Sequence, residues 1–232
     1  MTIRKIKTAI IGCGKVSHLH AAALQQGANT ELTAIYSRSM VKAQDADTIL
    51  SSRWNHYFGA SFYIMKDDFF VLPVYQINKD WLHLEARYNY EDRNTFSAWF
   101  GYNFSGGNKF EYNITPMVGG IAGNTNGIAP GLELNFIFYG FEFYSESEYL
   151  FDLKNSEGNF YYNWTDFFYS PLDWLWFGIS IQRTKLYDTD LEVQRGLLLG
   201  GGYRWFGLNC YLYNLGWDDP YLIFTLSASI PE

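Results

Sequence analysis

The residues able to do chemistry here fall into two groups. The larger is acidic: Glu133, Glu142, Glu146 and Glu148 lie close together, with Glu111 before them and His83, Glu85 and Arg87 at alternate positions further upstream. Arg204 is the nearest downstream cation that could join them. Alternate positions share one face of a strand. Carboxylates gathered inside a closed sheet can hold a cation or shape a cation-selective pore. Arg87 and Arg204 can instead neutralise them in a plug of ion pairs, which is the preferred reading. The second group lies near the start. KIKTAIIGCG closes an apolar run on Gly12 and Gly14, VSHLHAAALQQG then reads as a helix, and ELTAIYSRS as a strand. In such a strand–turn–helix–strand unit, Gly12 would make a tight turn and Gly14 would let a pyrophosphate approach the helix N-terminus. Ser17 stands where a third glycine would be.

Other chemistry is poorly provided for. His83 has no nearby serine and orienting partner with which to form a nucleophilic pair, so no catalytic residue is assigned. Cys13 and Cys210 are far apart, which argues against a zinc cluster or disulfide framework, and no metal ligand is assigned. Asp188, Asp190 and Glu192 lack the glycine and spacing of a calcium loop and read as a solvated acidic loop. The segment from Gly119 to Gly131 reads as an outer loop, not a phosphate cradle, because no helix or lysine follows it. A net charge of −7 excludes a phosphate-neutralising surface for nucleic acid.

The elements that must position the acidic group are strands. In Trp81 to Phe104, Leu82, Leu84, Ala86, Tyr88 and Tyr90 alternate with His83, Glu85, Arg87, Asn89 and Glu91. Phe96, Ala98, Phe100, Tyr102 and Phe104 likewise alternate with Thr95, Ser97, Trp99, Gly101 and Asn103. A period of two sustained this long sets an apolar face against a polar one. About twelve such strands run from Tyr57 to Ile230, with Pro73 marking its own strand as an edge or bulge. Tight connections (79–80, 105–107, 140, 170–173, 206–207) alternate with longer ones (92–93, 119–127, 152–158, 187–190, 216–219). Short turns at one end and long loops at the other, with both ends of the sheet on the short-turn side, describe an outer-membrane barrel. Aromatic residues make up 20% of the chain, and Trp81, Trp164, Tyr169, Trp174, Trp176 and Trp205 fall near strand ends, where interfacial girdles lie. A soluble, ligand-holding barrel with its apolar face inward is the competitor, because alternation alone does not say which face is outside.

The fold class expected is therefore all-β: an antiparallel up-and-down barrel of about twelve strands, preceded by a short βαβ fragment. Residues 1–46 form the fragment, 47–56 a junction and 57–232 the barrel. The expected partners are a lipid bilayer and a small solute or cation in the lumen, and the expected location is the bacterial outer membrane. No signal peptide is read in the chain, since Thr8 to Gly12 is too short for its apolar core.

Two resemblances accompany these readings. IGCGKVSHLHAAAL followed by ELTAIYSRS resembles the N-terminus of the glucose–fructose oxidoreductase/inositol dehydrogenase (Gfo/Idh/MocA) family. It implies NAD(P) binding, with Gly12 and Gly14 at the phosphates and Ser37 and Arg38 at the adenine ribose. The family's Lys-Pro segment, catalytic Lys/His pair and substrate domain are absent, so an oxidoreductase-like protein is the alternative reading, without turnover. WLHLEARYNYED, GYNFSGG, GIAPGLELNF, FYYNW, YSPLDWL, QRTKLYDTDLEVQRG and GWDDP resemble a group of bacterial proteins predicted to be outer-membrane barrels, across residues 68–226. That resemblance implies a non-enzymatic barrel, a narrow channel or a structural one. The chain departs from the usual terminal aromatic residue by finishing Ser-Ile-Pro-Glu.

Overall fold

The computed structural model describes residues 6–11, 30–36, 54–186, 190–217 and 219–231. Strands β1 (Ile6–Ile11) and β2 (Thr30–Tyr36) pair in parallel. Gly12, Gly14, Ser37, Arg38 and the helical stretch between the strands lie outside the described residues.

The rest is one antiparallel sheet. It comprises β3 (Asn55–Ile64), β4 (Phe69–Lys79), β5 (Leu82–Tyr88), β6 (Thr95–Tyr102), β7 (Phe104–Gly107), β8 (Phe110–Gly123), β9 (Gly127–Phe138), β10 (Phe141–Asp152), β11 (Phe160–Leu172), β12 (Leu175–Leu186), β13 (Glu192–Tyr203), β14 (Phe206–Tyr213) and β15 (Tyr221–Pro231). Strands adjacent in sequence are adjacent in the sheet, except that β3 pairs with β15 and β6 with β8. Those two pairings close the sheet on itself. Both β6 and β7 lie along β8, so they are two halves of one stave and the wall has twelve staves. The split has a local cause. Pro116 of β8 has no N–H to give, and it falls between the β6-paired residues from Met117 on and the β7-paired residues up to Ile114. Asn103, at the break, sends its backbone N–H to the Trp81 carbonyl instead (2.7 Å). Pro73 is accommodated similarly: it pairs with Ala60 of β3, but β5 reaches only Val74.

One end carries two-residue turns, at 80–81, 108–109, 139–140, 173–174 and 204–205, and also Asn55 and Pro231. Tyr139 and Gly140 both take positive φ (48° and 85°), the pair of conformations that a tight hairpin between right-twisted strands requires. The other end carries the longer connections, 65–68, 89–94, 124–126, 153–159, 187–191 and 214–220. The expected segregation is present, with several boundaries moved, among them 170–172, which belong to β11. Residues 105–107 are strand, with the turn following them, and the turn expected at 206–207 lies at 204–205. The 119–131 segment read as a loop is nearly all strand, belonging to β8 and β9. Two of its glycines face inward beneath Trp99, where a Cβ on Gly119 would lie 2.5 Å from the indole and one on Gly131 2.9 Å away. They are small because a large ring covers them.

The faces sort as the alternation requires. Phe100, Val118, Ile128, Leu132, Phe167, Phe177, Ile179, Leu197, Leu199 and Leu226 are exposed on the outside. His83, Glu85, Arg87, Ser97, Glu133, Glu146, Glu148, Asp166 and Gln182 are buried within. Phe143, Phe167, Ile179 and Leu197 line up across β10 to β13 as one apolar row on the outer wall. A soluble barrel with its aliphatic side chains in a dry centre is thereby excluded, because those side chains are outside. Trp81, Tyr169, Trp174 and Trp205 are exposed at the short-turn end. Trp164 and Trp176, expected with them, instead turn inward: each gives its indole N–H at 2.7 Å to a lumen acceptor, Asp166 and Asn209 respectively.

Candidate functional site

The lumen has two unlike halves. Toward the loops it is packed. Tyr63, Leu72, Trp164, Leu198, Tyr211, Tyr213 and Ile223 form one cluster, and Trp99, Met117, Ile121, Ala129, Leu150 and Phe160 another. Toward the short turns lies a cavity of about 390 Å³, lined among others by Tyr57, Glu85, Glu133, Glu142, Glu146 and Asp166, with Arg204 and Trp205 at its mouth. The molecule is thus a cup open on the short-turn side.

Arg87 is the centre of the polar wall. Its β5 position puts it on the inner parity, and its side chain is wholly enclosed. Nε and Nη2 donate to the two oxygens of Glu85 (2.7 and 3.1 Å), while Nη1 reaches Glu146 (2.5 Å) and Glu148 (3.0 Å) on β10. A planar guanidinium suits this, since its donors diverge in one plane toward several carboxylates. The Tyr90 and Trp99 rings lie 4.4 and 4.6 Å from the guanidinium carbon and cover the charge with π faces. Tyr90 comes from the 89–94 loop and donates to Glu146 (3.0 Å). Burial pushes its hydroxyl well above the ordinary tyrosine range, so it stays a donor.

A relay of side-chain amides runs beside this cluster. Asn113 donates to Thr115 (3.2 Å), Thr115 to Asn103 (2.6 Å), and Asn103 to Asn78 Oδ1 (2.8 Å). That same oxygen lies 2.9 Å from His83 Nδ1, and His83 Nε2 lies 3.3 Å from Glu85 Oε2. The break at Asn103 is what turns its amide into this chain. Across the lumen, Asp166 accepts from Trp164 (2.7 Å), Tyr211 (3.1 Å) and Ser180, whose hydroxyl also meets Tyr213 (2.5 Å).

The structure therefore joins His83, Glu85, Arg87, Glu146 and Glu148 directly, with Glu133 beside them. Glu142 is nearer the short turns and accepts from Asn135 (2.7 Å). Glu111 is half-buried on the inner parity of β8, near the short turns. Arg204 does not join the plug: it sits in the β13–β14 turn with positive φ, exposed, its guanidinium 5.3 Å from the Tyr203 ring. His56, placed by the sequence in the junction, is a β3 residue with Nδ1 2.7 Å from the Tyr75 hydroxyl. Asn78, Tyr90, Trp99 and Asp166 were not named as site residues from sequence. Trp99 carried a signal, standing on the polar parity of its run.

These features define a membrane-type barrel: closed, greasy outside, charged within. A search of solved structures agrees at the level of fold. A KdgM porin superposes with a TM-score of 0.53 at 11% identity, over 76% of this chain and 99% of its own. Pseudomonas aeruginosa OpdQ (TM-score 0.41, 9% identity, 74% of this chain) and Acinetobacter baumannii OccAB4 (0.43, 9%, 78%) follow; the chain spans 58% and 62% of their lengths. No protein-family model matches the chain, and no curated protein sequence resembles it.

Proposed function

We propose that this chain is a non-enzymatic barrel of the bacterial outer membrane, with an acidic lumen open to the periplasm and closed toward the cell exterior by its own side chains. The carrying observation is sidedness, with the aliphatic and phenylalanine side chains exposed outside and the carboxylates enclosed. Strands of about 12 residues at about 2.6 Å of height each span the apolar band of about 25 Å that such barrels present to lipid. The short-turn end faces the periplasm and the longer loops face out, as in barrels of this kind. Glu85, Glu133, Glu142, Glu146, Glu148 and Asp166 outnumber Arg87 and the rim residue Arg204, so the cup admits small cationic or polar solutes and disfavours anions.

Two measurements test this. Folded chain in detergent is expected to migrate differently on a gel before and after boiling. In planar bilayers any conductance is expected to be small, limited to leakage through the packed half, with cations preferred over anions, and Glu142→Gln is expected to lower that preference. Large, anion-selective conductance would contradict the lumen assignment. Migration unaffected by boiling would contradict the barrel.

The alternative, NAD(P) binding by the first 46 residues, retains the parallel pairing of β1 with β2. Nicotinamide titration followed by fluorescence separates the two readings.

A further inference from the structure

Four carboxylates, from Glu85, Glu133, Glu146 and Glu148, face the single guanidinium of Arg87. Three of them bond to it. The fourth does not. Glu133 is nine-tenths buried, and its Oε1 is enclosed with no hydrogen-bond partner among the described residues. A buried, unpartnered carboxylate oxygen is costly unless it takes up a proton or gains a counter-charge. No cation among the described residues bonds to this one.

Beside it lies His83. The relay from Thr115 through Asn103 presents Asn78 Oδ1 to His83, so Nδ1 carries a hydrogen and Nε2 is the nitrogen turned to the carboxylates. Nε2 stands 3.3 Å from Glu85 Oε2. A proton on Nε2 makes this contact an ion pair, and a metal ion can take the place of that proton. Donor atoms of His83, Glu85 and Glu133 all lie within 4.8 Å of one another.

We propose that His83, Glu85 and Glu133 form a binding site for a divalent transition-metal ion, with zinc the best match to the donors. Bonds of about 2.0–2.1 Å in a tetrahedron place neighbouring ligand atoms about 3.3–3.4 Å apart, the separation already present between His83 and Glu85. Glu133 needs a shift of at most about 1.5 Å to complete the triangle. One imidazole with two carboxylates suits zinc, cobalt or manganese, whereas calcium and magnesium take oxygen-only sets. Asn78 supplies the partner that orients a metal-binding histidine through its other nitrogen. Glu85 and Glu133 line the open cavity, so the ion enters from the short-turn side and keeps a position for water. A divalent ion with Arg87 brings three positive charges to the four carboxylates. The assignment does not depend on conduction through the barrel.

The test uses the full chain, folded in detergent and stripped with a chelator, then titrated with Co²⁺ followed by its visible absorption, with Zn²⁺ as competitor. One ion per chain is expected, with bands of low coordination number. Glu133→Gln and His83→Gln are each expected to weaken binding at least about tenfold, and Asn78→Ala by about 10–100-fold. Glu157→Gln, at an exposed carboxylate in the 153–159 connection, is expected to leave binding as it was. Boiling-dependent migration checks that each variant is folded. Absence of stoichiometric binding by the parent chain, affinity in His83→Gln or Glu133→Gln equal to that of the parent chain, or displacement of Co²⁺ by Ca²⁺ as readily as by Zn²⁺ would overturn the proposal. None of these results touches the barrel reading, which the metal-free chain tests separately.

Discussion

The sidedness of the wall can be tested at one residue, Ile179. It is half exposed on the outer face, the fifth residue of β12, between Phe167 of β11 and Leu197 of β13. At about 2.6 Å of height per residue it stands about 11–13 Å from the short-turn end, close to the middle of an apolar band about 25 Å tall. Ile179→Arg therefore places a guanidinium near the bilayer midplane, at a cost of about 2–4 kcal/mol. Ile64, at the loop end of β3, is also exposed, and Ile64→Arg is expected to cost no more than about 1 kcal/mol, because its depth is interfacial. The assay is reversible denaturant unfolding in phospholipid vesicles, followed by tryptophan fluorescence. In water, by contrast, an exposed isoleucine tolerates arginine within about 0.5 kcal/mol. If Ile179→Arg behaves that way, or costs no more than Ile64→Arg, the outer wall does not face lipid and the reasoning fails.

Three further outcomes follow from the lumen. Arg87→Met leaves three carboxylates without their shared donor and is expected to lower stability by about 3–5 kcal/mol, with part recovered when Glu146→Gln and Glu148→Gln are added; the same unfolding assay measures both. Gly119→Val drives a side chain into the Trp99 indole and is expected to cost about 1–3 kcal/mol, with an altered tryptophan emission spectrum as the ring leaves Arg87. Trp164→Phe removes one of three donors to Asp166 and is expected to cost about 1–3 kcal/mol, whereas Trp174→Phe, at the outer rim, changes stability by less than about 0.5 kcal/mol in unfolding curves.

Much of the wall was legible because lipid and lumen impose opposite demands on successive side chains. The runs from Leu82 to Tyr88 and from Thr95 to Tyr102 show this, and Glu85, Arg87, Glu146 and Glu148 fall where parity put them; Tyr90, read on the apolar parity, lies in the connection between the runs and turns inward onto Arg87. Legibility fails where the inside is not polar. The β11 run NFYYNWTDFFY is aromatic on both parities because its lumen face packs Trp164 and Tyr162 into the seal toward the loops, so Asp166 was overlooked. The segment from 119 to 131 reads as a loop, yet the smallness of Gly119 and Gly131 answers to Trp99, a residue on a different strand that local sequence does not reveal. Arg204 has the right charge for the plug, but a left-handed turn holds it at the rim. Pairing of Arg87 with β10 was a question of which strands face each other across the lumen, and alternation along one strand carries no such information.

The join between β3 and β15 has a consequence for how the protein is made. Nearly all its neighbouring staves are consecutive in the chain and can meet soon after synthesis. Here Ser61 must find Thr225, a partner 164 residues away, and their hydroxyls meet at 2.8 Å. Ten matched positions form at that seam only after the final strand exists. Assembly is therefore expected to be slow at its last step, when a curled ribbon must bring its two selvedges together. A chain stopped before Tyr221 would keep every earlier hairpin yet carry two bare edges, which readily fasten onto other copies. The last eleven-residue strand acts as the clasp that makes the object finite.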